Sequence, residues 1–178
     1  MRYINSKKRL ILIILLVIIG VALAGLSYYL LDNNYQADST AISALTFNEN
    51  YTVEDTSNSI IFTPTKNKSS TGIIFYPGAK VQPEAYSVIA SKLAQNGYTT
   101  VIVKMPFNLA IFGVNNANDI IKQHQEIDKW IIGGHSMGGV FASDFAVNHQ
   151  DKIKGVVYLA SYPNTNASTA SFKALSIR

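Results

Sequence analysis

Residues 130–139 read Trp-Ile-Ile-Gly-Gly-His-Ser-Met-Gly-Gly, an apolar run followed at once by the pattern Gly-x-Ser-x-Gly. A strand that ends at a glycine and turns directly into a helix holds its turning residue in a strained backbone conformation. Such a turn projects the hydroxyl of Ser136 out of the sheet edge. Gly134 and Gly138 are expected to be needed because strand and helix pass too closely there for a Cβ. Ser136 is therefore the candidate nucleophile.

The segments around this turn alternate between apolar strands and helical patterns. Continuous apolar runs that end at Pro, Gly or Asn are typical of strands buried on both faces, and helical spacing of apolar residues separates them. Before them come two short stretches in which apolar and polar residues alternate, a pattern that predicts antiparallel strands. We therefore predict an α/β fold, a mostly parallel sheet with helices on both faces. The expected strands are Tyr51–Val53, Ser59–Thr63, Gly72–Tyr76, Tyr98–Val103, Trp130–Ile132 and Gly155–Leu159. The expected helices begin at Pro83 and Met137 and span Asn115–Glu126.

The same pattern predicts where an oxyanion would be held. The helix that begins at Met137 directs its free N–H groups and its positive dipole end toward the serine, so the N–H of Met137 is the first candidate donor. The second should come from the loop after the strand Gly72–Tyr76, where the N–H of Gly78 or that of Ala79 is available. An ordinary turn that only ends the strand is the alternative.

The N-terminal region has the composition of a membrane span. Leu10–Leu31 contains no charged residue, and 22 residues of helix cover about 33 Å, enough for a hydrocarbon core of roughly 30 Å. Arg2 and three further basic residues precede it, which predicts residues 1–9 inside and the rest outside. Residues 32–45 are then a polar tether and residues 46–178 the folded domain. A cleaved signal peptide with Ala22-Leu23-Ala24 as its site is the alternative.

Charge and composition exclude several classes of function. The net charge of +4 comes entirely from the four basic residues before the span, and elsewhere 11 basic residues balance 11 acidic ones. A nucleic-acid partner is therefore not expected, because phosphate binding needs a clustered basic face. The chain has no cysteine, which excludes disulfides and thiolate chemistry. It also has no metal-ligand cluster, phosphate loop or dinucleotide fingerprint, so we expect no cofactor and no metal.

Four segments of the chain resemble the α/β-hydrolase superfamily, and most closely its fold-5 type, known from bacterial membrane-anchored or exported proteins. The resemblance implies that Ser136 is the nucleophile and that the N–H groups of Met137 and Ala79 hold the oxyanion. It further implies hydrolysis of an ester or related acyl bond of a small molecule through an acyl-enzyme. The segments are 72–81, 103–112, 131–139 and 156–163.

A base and an orienting acid are harder to find in the sequence. These hydrolases place Asp or Glu and then His after the serine. Asp144 and His149 lie along the helix that follows Ser136, about 12 Å and 20 Å away at ~1.5 Å per residue, beyond hydrogen-bonding reach. His124 and His135 are expected to pack rather than react. Residues 172–178 resemble the start of the family's next strand, so we expect a truncated member whose acid and histidine lie outside the chain.

The sequence alone thus favours a membrane-anchored, outward-facing serine hydrolase. A non-catalytic membrane-anchored binding module that keeps the turn as a folding element is the alternative, and an acyltransferase is a further one. An apolar mouth beside Ser136 would suit an acyl or alkyl group. The residues expected to line it are Tyr76, Met105, Pro106, Phe107, Leu109, Ile111 and Phe112.

Overall fold

The computed structural model describes residues 6–31, 34–46, 48–164 and 170–177. The chain divides into two compact units, Met1–Asn33 and Asn34–Arg178. The first unit contains the helix α1, Ser6–Leu31. Its most apolar 18-residue window has a mean hydropathy of 3.1, and none of that window is buried. Within the described ranges it is the one helix whose length and composition allow it to cross a membrane, and a signal sequence has the same character.

A seven-stranded sheet forms the centre of the second unit, in the order β1-β2-β4-β3-β5-β6-β7. β1 pairs with β2, and β2 with β4, in antiparallel fashion, whereas β3 to β7 all run parallel to one another. Because β3 to β7 share one direction, their carboxyl ends meet at one edge of the sheet, called here the carboxyl edge. The strands are β1 Tyr51–Asp55, β2 Ser59–Pro64, β3 Thr71–Tyr76, β4 Thr100–Val103, β5 Lys129–His135, β6 Ile153–Leu159 and β7 Lys173–Ile177.

Helices cover both faces of this sheet, as the sequence predicted. Side chains alternate between two hydrophobic cores along β3: Ile74 and Tyr76 belong to one core, and Phe75 belongs to the other. The first core includes Phe145 of α5, and the second includes Ala90 of α3. The helices of this unit are α2 Ser39–Ser43, α3 Ser87–Gln95, α4 Ala117–Gln123 and α5 Met137–Asn148, and short 3₁₀ turns occupy Pro83–Tyr86, Pro106–Asn108 and Ala110–Phe112.

Two segments differ from the sequence-based expectation. The helix expected over residues 115–126 is shorter, since α4 ends at Gln123, where His124 adopts a non-helical backbone and donates its N–H to Ile120. Residues 34–46 do not form a bare tether, because they belong to the second unit and include α2. Asp38 caps this helix by accepting the N–H of Ala41 at 2.7 Å, which satisfies one of its free amides.

Candidate active site

Ser136 lies at the sharp turn between β5 and α5, on the carboxyl edge. Its backbone has φ 50° and ψ −122°, a conformation that costs energy for a residue with a Cβ. The turn is fixed from β6, because the N–H of Ser136 donates to the carbonyl of Leu159 at 3.0 Å. Ser136 is exposed, and its hydroxyl has no hydrogen-bond partner among the described residues. The strand-to-helix turn therefore holds an unpaired hydroxyl at the surface.

Three glycines allow the chain to pass through this turn. A Cβ on Gly138 would overlap the carbonyl oxygens of Tyr76 and Pro77. A Cβ on Gly134 would lie 2.5 Å from the amide nitrogen of Gly139, and one on Gly139 would lie 2.6 Å from Cβ of Ser161. Most of these obstacles are backbone atoms, which cannot rotate away. The sequence pattern thus reflects a close approach of α5 to the ends of β3 and β5.

The loop after β3 offers two candidate oxyanion donors, and the structure distinguishes between them. The N–H of Gly78 donates to the hydroxyl of Tyr86 at 2.9 Å and is therefore engaged. The N–H of Ala79 has no acceptor among the residues that the structure describes. Met137 is the first residue of α5, where an amide has no acceptor within the helix. Ala79 and Met137 therefore remain the pair of candidate donors.

The loop that carries Ala79 is held from two sides. On one side Lys80, at φ 60°, donates its N–H to the carbonyl of Asn108 at 2.7 Å. On the other side Tyr35 donates its N–H to the carbonyl of Lys80 at 2.6 Å and accepts the N–H of Gln82 at 2.9 Å. The chain segment just before α2 thus forms a bridge to the loop. No periodic pattern in the sequence indicates this contact, because a single bridge leaves none.

A buried tyrosine connects the same loop to the nucleophile turn. Tyr86 Oη accepts the N–H of Gly78 and lies 3.0 Å from His135 Nδ1. Burial raises the pKa of this phenol, and the hydrogen bond from Gly78 opposes that rise. The neutral hydroxyl therefore prevails, with one lone pair used by Gly78. Tyr86 thereby links the loop after β3 to His135, the residue before Ser136.

The three histidines of the chain all have partners away from Ser136 Oγ. His135 faces Tyr86, and His124 Nδ1 lies 3.0 Å from Glu126 Oε1. That contact lowers the pKa of the Glu126 carboxyl. His149 stacks on Phe145 with 4.0 Å between ring centroids, and its Nδ1 forms a hydrogen bond with the Phe145 carbonyl.

The side chain of Asp144, the acidic residue on α5, accepts a hydrogen bond from Asn164 at 3.2 Å. The structure brings none of these groups to the serine hydroxyl.

Comparison with known proteins identifies the fold's relatives. The family model described as alpha/beta hydrolase family matches residues 72–178, which include β3 to β7 and the Ser136 turn. The chain belongs to the alpha/beta hydrolase family.

The chain is similar to only part of each of several longer proteins. A pimeloyl-[acyl-carrier protein] methyl ester esterase from Photorhabdus laumondii is 27% identical over 118 residues, which cover 61% of this chain and 43% of that protein. Carboxyl esterase 2 from Tuber melanosporum has a TM-score of 0.55 at 13% identity, over 73% of this chain and 50% of that one. A hormone-sensitive lipase from a metagenome library has a TM-score of 0.53 at 17% identity, over 68% of this chain and 48% of that one. The chain therefore spans about half the length of these relatives.

The cleft beside the serine in this alpha/beta hydrolase has a different lining from the one expected. Tyr76, Met105 and Leu109 are buried in the protein and do not line a mouth. Tyr76 and Met105 belong to the first core, together with Ala110 of the second 3₁₀ turn after β4. Instead, a shallow cleft of about 330 Å³ is lined by Ser136, Met137, Val140, Phe141, Ala160 and Tyr162.

The loop after β6 was missed as part of the site. Ser161 Oγ donates to the carbonyl of Ser136 at 2.7 Å, and Ala160 has the unusual φ of 44°. The N–H of Ala160 donates to the carbonyl of Ile177 at 2.9 Å, which ties this loop to β7. Ser161 comes close to Gly139 only because β5 pairs with β6. The spacing of residues in the sequence does not reveal this pairing.

Proposed function

We propose that this protein is a membrane-anchored, outward-facing serine hydrolase that cleaves an ester or related acyl bond, with Ser136 as its nucleophile. One observation carries the proposal: an exposed serine hydroxyl stands at a strained strand-to-helix turn beside the first amides of α5. That is the arrangement expected of a nucleophile turn in this fold. The N–H groups of Met137 and Ala79 are proposed to hold the oxyanion.

The chemistry follows from these positions. Ser136 Oγ attacks the carbonyl carbon of the ester and gives its proton to a base, and the carbonyl oxygen becomes an oxyanion between the two amides. The carbon–oxygen bond to the leaving group then breaks, the alcohol departs with a proton, and water hydrolyses the acyl-enzyme. Because His124, His135 and His149 are all engaged elsewhere, the proposal requires a base and an acid supplied from outside residues 1–178.

The proposed substrate is an ester with an apolar acyl or alkyl group. The cleft beside Ser136 is lined mainly by apolar side chains such as Val140 and Phe141, which favours an apolar substituent. Ester hydrolysis is consistent with the names of the Photorhabdus and Tuber relatives, both esterases. No cofactor takes part in this mechanism.

The proposed location rests on α1. The helix of 26 residues has Lys7, Lys8 and Arg9 near its start and continues through the uncharged stretch Leu10–Leu31. This charge pattern suits a single span with residues 1–9 inside, residues 10–31 in the bilayer, and the hydrolase domain outside. Release by cleavage after residue 24 is the alternative. Protease added to intact cells should digest the domain, and the mature chain should keep α1. A secreted form shortened by about 24 residues would favour cleavage.

A second function, a non-catalytic binding module on the same scaffold, is favoured by the engagement of all three histidines away from Ser136. A fluorophosphonate probe distinguishes the two. Incubation of the full chain should label a single peptide that contains Ser136, the Ser136→Ala variant should lose the label, and the distant exposed Ser57→Ala variant should keep it. Absence of label at Ser136 in the parent would favour the binding module.

A further inference from the structure

Five large apolar or aromatic side chains are exposed around the candidate site, and we call them the hydrophobic rim. Three follow β4, one follows β6, and one bridges the loop after β3, so all belong to segments at the carboxyl edge. Their exposed fractions range from 45% to 72%. Large apolar side chains exposed together at one edge of a domain mark a contact site more often than isolated ones do. The rim consists of Tyr35, Phe107, Ile111, Phe112 and Tyr162.

The segments that carry the rim contain almost no charge. Residues 105–118 and residues 155–172 contain no Asp, Glu, Lys or Arg. In contrast, the loops and strand ends at the opposite edge of the sheet are rich in charge. They contain Lys66, Lys68, Asp128, Lys129, Asp151, Lys152 and Lys154. One edge of the domain is therefore suited to an apolar or interfacial environment, and the other is suited to water.

The backbone around one rim residue is strained. Phe107 and Asn108 have φ values of 55° and 53°, which are unfavourable for residues with a Cβ. Phe107 packs edge-on against Phe112 with 5.8 Å between ring centroids. This pairing keeps two aromatic rings together at the surface, although burial in the core would stabilise them more. Strain that exposes apolar rings indicates a use for the exposed surface.

The position of Tyr35 in the sequence identifies the surface that the rim meets. Tyr35 is the fourth residue after Leu31, the end of α1, and four residues of extended chain cover at most about 14 Å. The chain therefore allows no more than this distance between Tyr35 and the end of the proposed span. Tyrosines are also favoured at membrane–water interfaces.

We infer that the hydrophobic rim docks onto the outer surface of the lipid bilayer, so that the Ser136 cleft opens toward the membrane. This inference rests on the proposed span and adds a substrate class to the proposed hydrolase. An ester whose apolar chain is dissolved in the bilayer reaches Ser136 past Tyr162, which lines the cleft, without crossing water. The rim residues are positioned to enter the headgroup region in the manner of interfacial side chains.

The test uses single cysteines, since the natural chain has none. The full chain is reconstituted in phosphatidylcholine nanodiscs as Ser27→Cys, Ile111→Cys or Gln125→Cys, each labelled with the fluorophore NBD. Residue 27 reports on the span, residue 111 on the rim, and residue 125 on the exposed opposite edge. A lipid carrying a doxyl group near its headgroup is added as quencher. We expect emission to fall about twofold or more at residues 27 and 111 and to stay unchanged at residue 125, as shallow insertion requires.

The three positions separate the inference from the function on which it rests. Quenching at residue 27 without quenching at residue 111 overturns docking and leaves the span in place. Quenching at residue 111 alone supports docking and contradicts the span. Equal quenching at residues 111 and 125 overturns docking, because the contact would not be confined to the rim. Replacing Phe107 and Phe112 by serine should abolish quenching at residue 111, and undiminished quenching there would also overturn the inference.

Discussion

Gly138 shows how much of the site depends on single atoms. Its α-carbon lies against the carbonyl groups at the end of β3, so the first turn of α5 is held beside the loop that carries Ala79. The same contact places the free amides of α5 near that loop. A side chain at residue 138 would separate the two candidate oxyanion donors before it affected the distant core.

We expect Gly138→Ala to lower the free energy of unfolding by about 3 kcal/mol, because the added methyl group meets backbone oxygens that cannot rotate away. Urea unfolding followed by the fluorescence of Trp130, the single tryptophan and 1% exposed, measures the change. Gly155→Ala is the matched control, since its Cβ would lie 3.5 Å from Ile131, an ordinary contact, and should cost less than about 0.5 kcal/mol. Equal losses in the two variants would contradict the packing account.

Tyr86→Phe removes the acceptor of the Gly78 N–H and the partner of His135. A buried donor left without an acceptor costs about 1–3 kcal/mol, so unfolding at pH 8 should require correspondingly less urea. The same substitution should change the pH dependence. Burial raises the pKa of the Tyr86 phenol, so its contribution to stability is complete below the unfolded-state pKa of ~10 and is lost as pH rises through the folded-state pKa.

The parent should therefore lose stability between pH 8 and about pH 11, and Tyr86→Phe should lose less over the same interval. Urea titrations at both pH values measure the difference. If the free energy of unfolding fell as much in Tyr86→Phe as in the parent, the neutral Tyr86 hydroxyl would not be what stabilises the fold.

Among the elements, β7 stands out because it ends the described sheet with all of its residues exposed. Leu175 and Ile177 are 56% and 50% exposed, and the outer edge of β7 has no paired strand among the described residues. An unpaired apolar edge is a template for association with another strand.

We expect Leu175→Lys to reduce self-association of the detergent-solubilised chain, because a charge on an edge strand opposes strand pairing. Size-exclusion chromatography with light scattering measures the molar mass. Ile89→Lys on α3, at a position 42% exposed, is the control and should leave association as in the parent. If both variants associated like the parent, the β7 edge would not be the contact.

The elements that the sequence predicted well are those with strong local signals. Pro77 and Gly78 follow the end of β3, and β5 contains the expected apolar run Trp130–Ile132, although it continues through both following glycines to His135. An apolar stretch begins directly at Met137, so both strands and α5 were placed within a few residues. α4 was predicted too long because its polar residues 122–126 continue a helical pattern that the backbone at His124 ends. Contacts between distant segments gave no local signal, such as Tyr35 with Lys80, Tyr86 with His135, and Ser161 with Ser136.

At the scale of the whole molecule, the arrangement combines a prepared nucleophile turn with histidines that are all engaged elsewhere. An oxyanion site and binding alone retain part of a hydrolase's rate enhancement when a triad member is missing. We therefore expect the 178-residue chain to react slowly with a fluorophosphonate. A histidine base would make the labelling rate level off above about pH 7.

Without such a base, the labelling rate should keep rising with pH between about pH 6 and pH 9, because only hydroxide or water removes the serine proton. The reaction with a fluorescent fluorophosphonate is stopped at successive times, and the fluorescence of the protein band on a gel gives the labelling rate at each pH. A plateau near neutral pH that disappears in His135→Gln would show that His135 acts as the base, against its contact with Tyr86.

The most direct measurement of the central claim is the site of that adduct. After brief exposure of the full chain to a fluorophosphonate, peptide mass spectrometry gives the modified fraction of each serine. The account predicts that Ser136 is modified many times faster than any other serine, and that Met137→Pro, which removes a candidate oxyanion amide, slows it strongly. Modification spread evenly over exposed serines, with Ser136 no faster than Ser57, would contradict the assignment of Ser136 as the nucleophile.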